Sequence, residues 1–504
     1  MTQASGAGDK KTITRLGAKL TRSRVWRSIF RHGYPDNDLD RMQVVVTNFF
    51  LHIMPARVNV HTIRPTATLG LGVIALFMFF ILTITGVLLM FYYVPSVDRA
   101  YSDMKDLQFV VSYGVILRNM HRWGAHGMVA VVFVHMCRVF YTGSYKAPRE
   151  FNWVLGVILW VLTMFLSFTG YLLPWDQLAF WAITVGSSIA AYPPLMGDTI
   201  RFMLLGGQEV GQGALLRFYV LHVAILPIVM SMIMAVHLWR IRKDGGLARS
   251  RDEHEDGHPT TAVESGLWDT AKTYGLMALS RSTTPIVGTQ TPEEEVTAWP
   301  HLTFRLLVLF VGTLATITAI SLLFDAPLEE IANPIHPPNP SKAPWYFLGL
   351  QELVSYSALV GGVIVPGLAV LGLMVIPFID HTPAGEGVWF SSLEGKKIAW
   401  KSFVGGALSV PILMILNAQF GIRVLWAKSP QFMADLVNPA TILLVGIAIY
   451  SSSIVRKTGS RRLGAISLFS SFLGALIILT IVGTFFRGAN WAFILPWAQS
   501  AVHH

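Results

Sequence analysis

The stretch Arg118-Asn-Met-His121-Arg-Trp-Gly-Ala-His126, running on through apolar residues to Val134-His135-Met-Cys-Arg138, decides how this chain is read. His121 and His135 stand fourteen residues apart. That is close to four turns of α-helix, so both imidazoles leave nearly one face, separated along the axis by roughly 21 Å. Phe218-Tyr-Val-Leu-His222 through Val236-His237 repeats the arrangement with a fifteen-residue step, which turns the second imidazole modestly about the axis. Packed antiparallel, two such helices can clamp two haems, each between one histidine from either helix, since imidazole is a usual axial ligand and a bundle core is where facing helices build cofactor sites. A single histidine in an apolar helix is more often a hydrogen-bonded core residue. Two matched pairs in membrane segments, where ionisable groups are costly, favour ligation. His126 falls outside the pattern and reads as a core histidine.

The composition is that of a polytopic membrane protein: 504 residues, 53% hydrophobic and only 13% charged, with a mean hydropathy of +0.52. The formal charge of +10 does not point to nucleic acid, because the basic residues cluster at the ends of apolar runs, where they carry topology. The one cysteine, Cys137, excludes an intrachain disulfide, a Cys-ligated iron–sulfur cluster and a Cys-x-x-Cys-His haem attachment.

Residues 1–62 begin as a basic segment without the apolar core of a signal peptide and continue into an expected amphipathic interfacial helix at 40–60. Apolar runs long enough to span follow at about 67–93, 117–141, 152–173, 215–241, 302–324, 358–379, 402–420, 439–456 and 464–486. The connections alternate in basic content, which predicts a cytoplasmic N-terminus in a bacterial-type inner membrane. The chain therefore reads as all-α, with a dihaem bundle at 63–242, a polar cytoplasmic linker at 243–300 with ordered patches around Trp268 and Tyr274, a second half at 301–380, and further membrane helices at 381–504.

Glycines repeat the fourteen-residue step, as Gly72 and Gly86 in the first span and Gly156 and Gly170 in the third. Each removes side-chain bulk where another body must come close to the backbone, giving two levels with two imidazoles and two gaps. Arg118, Arg122 and Arg138 flank the histidines and suit bidentate capture of haem propionates.

His-Arg-Trp at 121–123, Gly-Tyr-Leu-Leu-Pro-Trp-Asp-Gln at 170–177, Arg-Phe-Tyr-Val-Leu-His at 217–222, and Trp345-Tyr346 before Gln351 together resemble cytochrome b of the Rieske/cytochrome b complexes over about residues 43–380. The fifteen-residue step resembles the chloroplast and cyanobacterial branch, with the two halves here in one chain. The resemblance implies two non-covalent haems b, with iron held by His121 and His222 near the external side and by His135 and His237 near the cytoplasmic side. It further implies quinol oxidation beside Pro344, Trp345, Tyr346 and Ala182, a cytoplasmic-side quinone site near Arg242, Lys243 and Asp244, and a setting in lipid. Its implied partners are a Rieske iron–sulfur protein, a c-type cytochrome and a second copy of the complex.

Two departures follow. Where the family usually carries Pro-Glu-Trp-Tyr, this chain reads Ala343-Pro344-Trp345-Tyr346, so Glu352 is the nearest downstream carboxylate and a candidate replacement proton acceptor. Gly70 stands where the photosynthetic branch attaches a third haem through cysteine. The competing readings are a dihaem membrane anchor of a dehydrogenase or hydrogenase, which needs no Trp-Tyr loop, and a transporter using the histidines for protons.

Overall fold

The computed structural model describes Lys19 and residues 23–497, except 31–34, 36, 49–50, 52–53, 194, 245, 248–294 and 383–384. Trp268 and Tyr274 lie outside the described residues. In chain order the main helices are α1 (Leu71–Met90), α2 (Gly114–Tyr141), α3 (Glu150–Tyr171), α4 (Gln177–Ala190), α5 (Gln212–Lys243), α6 (Ala298–Leu323), α7 (Trp345–Tyr356), α8 (Val360–Ile379), α9 (Leu393–Phe420), α10 (Pro439–Thr458) and α11 (Arg461–Phe485). All but α4 and α7 are long and apolar enough to cross a membrane, which gives nine candidate spans among the described residues. The protein is an all-α polytopic membrane protein.

The chain divides into two compact units. In the first, formed by residues up to 69 with 270–309, the helix expected over 40–60 is only Asp38–Thr47. Asn37 caps it by accepting from the Asp40 N–H, and the backbone turns extended at Asn48. Arg57–Asn59 then forms a strand antiparallel to Glu295–Thr297. Pro55 precedes that strand and has no N–H to continue a helix.

The second unit holds residues 70–269 and 310–504. Its helix boundaries follow local chemistry. Asp176 starts α4 by accepting from the Ala179 N–H at 2.8 Å, and Asn438 and Ser460 cap α10 and α11 in the same way. The short turn between those two helices closes on Gly459, whose φ of 68° suits the left-handed cap. Helices α9 and α11 come together through small residues, with Gly406 against the Ser471 backbone and Gly474 against that of Phe403. A buried Ser402–Ser467 hydrogen bond of 3.0 Å crosses the same contact.

Candidate haem and quinol sites

Helix α5 carries a π-turn at Leu221–Ile225, where the Leu226 N–H reaches back to the Leu221 carbonyl. Pro227 follows immediately and lacks the N–H an α-helical ladder would use. A π-turn takes up one extra residue, so the fifteen-residue step of α5 behaves as the fourteen-residue step of α2. The extra rotation expected from sequence is absorbed locally. The His121 and His222 rings then face each other with centroids 6.1 Å apart and planes at 80°. With imidazole–metal bonds of about 2.0–2.1 Å, two such bonds plus the depth of two rings span this distance across one metal atom.

Second-contact groups orient the rings. His222 Nδ1 lies 3.0 Å from the Leu166 carbonyl, and His237 Nδ1 lies 3.1 Å from that of Asn152. A carbonyl only accepts, so in each ring Nδ1 carries the proton and the Nε2 lone pair remains available to a metal. Thr85 Oγ1 lies 3.0 Å from His121 Nδ1 and Thr169 Oγ1 lies 3.3 Å from His222 Nδ1. Both hydroxyls donate to carbonyls of their own helices, Thr85 to Ile81 and Thr169 to Phe165, which leaves their oxygens to accept from the imidazoles. His135 Nδ1 is buried without a hydrogen-bond partner.

The glycines face the imidazoles themselves. A Cβ at Gly72 would stand 3.1 Å from His135 Cε1, and one at Gly86 would stand 3.1 Å from His121 Cε1. One at Gly170 would meet the His222 ring, with Nε2 at 2.9 Å, whereas one at Gly156 would reach His237 Cε1 at an ordinary 3.6 Å. These cradles, with the Nδ1 atoms of His121, His222 and His237 occupied by hydroxyl or carbonyl oxygens, fit a macrocycle held by one imidazole from each side. Among the described residues no three His, Cys, Asp or Glu side chains converge, so the pairs do not form the four-ligand cage of a structural metal site.

The flanking arginines differ. Arg118 is buried and spends Nη1 on the Ala326 carbonyl at 2.8 Å and Nη2 on that of Pro327 at 2.7 Å. Its fork is therefore committed to the connection after α6, and bidentate propionate capture by it, expected from sequence, is not what this conformation offers. Arg122 lies over the Tyr171 ring at 4.6 Å with a buried, unpartnered Nε. Arg138 is buried near the far end of α2. The same connection after α6 is fastened by Asn119, which donates to the Ser321 carbonyl and accepts from the Ala326 N–H. Asp176 accepts the Glu329 N–H at 3.1 Å. Burial raises the Asp176 carboxyl above its ordinary range, opposed by the N–H bonds from Ala179 and Glu329.

A cavity of about 550 Å³ opens beside this connection, walled by Phe168, Ala182, Pro344 and Tyr346, and by Phe472 and Leu476 of α11. Burial raises the Tyr346 phenol above its usual value, so it meets a ligand as a neutral hydroxyl. Two residues expected in this site are elsewhere. Trp345 is not part of the cavity wall, and its indole Nε1 donates to His126 Nδ1 at 2.9 Å. Glu352 is also outside the wall and fully buried. Its carboxylate accepts from Arg487 Nε at 3.0 Å, from Trp491 Nε1 at 3.0 Å and from the Tyr356 hydroxyl at 3.0 Å, and is ion-paired with the Arg487 guanidinium. A carboxylate so occupied ties α7 to the segment after α11, and this corrects its expected role as a proton acceptor. His126, read from sequence as an ordinary core histidine, is correspondingly a contact of the Trp-Tyr motif.

At the far end of α5, Asp244 is buried, with Oδ1 2.7 Å from Arg240 and Oδ2 without a partner. Lys243 Nζ lies 4.8 Å above the Trp239 ring.

Sequence reasoning passed over Thr85 and Thr169 and gave His126 no role beyond the core. The threonines had a signal, since each immediately precedes a glycine of the fourteen-residue repeat. His126 and the Arg487 ion pair had none, because their partners are 219 and 135 residues away.

A membrane helical bundle in which His121 and His222 face each other beside Gly86 and Gly170, with His135 and His237 against Gly72 and Gly156 further along the same helices, has the form of a haem-binding membrane cytochrome. Residues 60–245 match the model of the cytochrome b/b6/petB family. Cytochrome b6 of Heliomicrobium gestii is 43% identical over 175 residues, which are 35% of this chain and 82% of that protein. Cytochrome b6 of Prochlorococcus marinus is 43% identical over 175 residues, covering 80% of its length. A solved structure titled "Hyperthermophilic respiratory Complex III" shares the fold over 83% of this chain and 92% of that chain, with a TM-score of 0.53 at 24% identity. The chain belongs to the cytochrome b/b6 family. It is a haem b-binding integral membrane protein.

Proposed function

We propose that this chain binds two haems b and is the quinol-oxidising subunit of a proton-motive quinol–cytochrome c type oxidoreductase. His121 and His222 would hold one iron near the external side, and His135 and His237 the other near the cytoplasmic side. When bound, each haem supplies one-electron redox chemistry whose potential the protein tunes through the axial imidazoles and their hydrogen bonds. One electron from quinol would go to a Rieske iron–sulfur protein and then to a c-type cytochrome. The other would cross most of a hydrocarbon core of about 30 Å, against the membrane potential, to quinone on the cytoplasmic side.

The chain's own residues divide the work. Carbonyls of Leu166 and Asn152 keep two ligand rings in the tautomer that offers Nε2. Arg122 and Arg138 supply cationic groups for propionates at the two levels. Gly72, Gly86, Gly156 and Gly170 leave the imidazoles room. The quinol head would lie against Tyr346, Pro344 and Ala182, with its tail in the apolar remainder of the cavity. Quinone reduction on the other side would use the buried Asp244, with Arg242 and Lys243 near it. The complex would be a homodimer in a bacterial cytoplasmic membrane, with lipid around its spans and the N-terminus inside.

The observation that carries this reading is the facing of His121 and His222 at 6.1 Å, in rings whose Nδ1 atoms are occupied elsewhere. The test is haem stoichiometry with redox titration in single variants. His135→Leu or His237→Leu should remove one haem and leave the other, and His121→Leu or His222→Leu should do the converse. Two bis-histidine haems surviving any of these substitutions would overturn the assignment.

A further inference from the structure

We propose that His126 is a positioning residue of the quinol cavity, holding the Trp345-Tyr346 turn through the indole of Trp345 and so fixing the wall that Tyr346 presents. The inference rests on the reading of that cavity as the quinol site.

Indole Nε1 is a donor only. The 2.9 Å contact with His126 Nδ1 therefore requires a lone pair on Nδ1, and the imidazole is neutral with its proton on Nε2. The His126 ring is boxed by aromatic neighbours, with Trp123 at 5.5 Å and Tyr346 at 5.7 Å and 70°, nearly edge to face. Trp123 is itself fixed, donating through Nε1 to the Phe324 carbonyl at 2.7 Å. Trp345 stands against Tyr346 at 5.4 Å and 85°. A line of directional contacts thus runs from the end of α6 through Trp123 and His126 to the first two residues of α7.

The start of α7 is held besides by a side-chain hydrogen bond between Tyr346 and Ser167 and by Phe347 against Phe168 at 6.2 Å, but neither fixes the indole of Trp345. Its N-cap is Pro344, which gives no side-chain cap, and its first turn carries no acidic residue. Gln351 secures the preceding loop, accepting from the Ala343 N–H at 2.8 Å and donating to the Ser341 carbonyl at 2.7 Å, but neither bond reaches the side chains of Trp345 or Tyr346. Tyr346 lines the cavity and Trp345 does not. His126 therefore acts on the cavity through the turn rather than by touching a ligand, and a displaced Tyr346 would weaken quinol binding before it altered haem ligation.

The experiment uses the purified complex with a short-chain quinol, in the variants His126→Leu, His126→Asn, Trp345→Phe and the double His126→Leu/Trp345→Phe. Asparagine places an amide oxygen near the position of Nδ1 and can accept from the indole, whereas leucine cannot. His126→Leu should raise the KM for quinol about fivefold or more, with a smaller change in kcat and with haem content and both midpoint potentials retained. His126→Asn should return KM to within about twofold of the unsubstituted complex. Trp345→Phe keeps the ring and removes the donor, so it should reproduce the leucine effect, and the double variant should be no worse than either single one. An unchanged KM in His126→Leu, additive effects in the double variant, or loss of haem in all His126 variants would overturn the inference. An unsubstituted complex with full haem content that oxidises no quinol would instead overturn the reading on which it rests.

Discussion

The His121–His222 level and the His135–His237 level share two helices, with a step of fourteen residues on α2 and fifteen on α5, yet their surroundings differ at the residue before each glycine. At the first level that residue is threonine, in Thr85-Gly86 and Thr169-Gly170, and each hydroxyl reaches an imidazole Nδ1, at 3.0 and 3.3 Å. At the second it is leucine, in Leu71-Gly72 and Leu155-Gly156, and His135 Nδ1 has no partner. A hydrogen bond accepted from Nδ1–H makes the imidazole a stronger donor, which favours ferric iron. With a haem at each level as proposed, the two would be unequal, and the His121–His222 level should titrate at the lower potential, so that an electron would pass downhill to the other.

Steric changes at the glycines break this comparison most severely. Gly170 sits hardest against its histidine, so Gly170→Val should eliminate the haem of the His121–His222 level while the other persists, as read by haem assay; Gly170→Ala should impose strain of about 1–3 kcal/mol. Retention of both haems in Gly170→Val would mean that α3 yields at this point. Glu352→Gln separates haem-level effects from packing. It leaves the half-buried Arg487 against a neutral amide, a loss below the about 3–5 kcal/mol of a fully buried broken pair. Thermal stability should fall while folded protein keeps both haems and its turnover.

Thr85→Val sharpens the inequality directly. It keeps the shape and removes the acceptor, so the potential of the His121–His222 level should rise by on the order of tens of millivolts, and Thr169→Val should act alike, since His121 and His222 each keep a carbonyl partner, Leu82 and Leu166. A redox titration showing no shift, or a shift at the other level, would count against the threonines as the source of the difference. The smallest effect belongs to Gly156→Ala, whose methyl would stand 3.6 Å from the His237 ring. Near-normal haem content is expected there, in contrast to Gly170.

Much of this architecture was legible because it is periodic. Nine apolar runs announced the nine candidate spanning helices among the described residues, and the fourteen-residue steps of His121 to His135, Gly72 to Gly86 and Gly156 to Gly170 put histidines and glycines at matched depths. The fifteen-residue step of α5 was harder to read, because a π-turn before Pro227 depends on how a helix accommodates a missing N–H and not on residue spacing. What stayed hidden joined parts distant in sequence. Nothing local to Glu352 points to Arg487 and Trp491, nothing around His126 points to Trp345, and Arg118 gives no sign that its fork would meet Ala326 and Pro327. The helix over 40–60 was overextended because its apolar pattern continues into residues that pair as a strand with Glu295–Thr297.

The central claim is that one chain holds two haems, each between two imidazoles, at two unequal levels. Electron paramagnetic resonance of the fully oxidised protein, integrated against protein concentration, tests it most directly. The account predicts two low-spin ferric signals together equal to about two spins per chain, one of them highly anisotropic from the near-perpendicular rings of His121 and His222, which stand at 80°. A single low-spin signal of one spin per chain, or a five-coordinate high-spin signal, would contradict it.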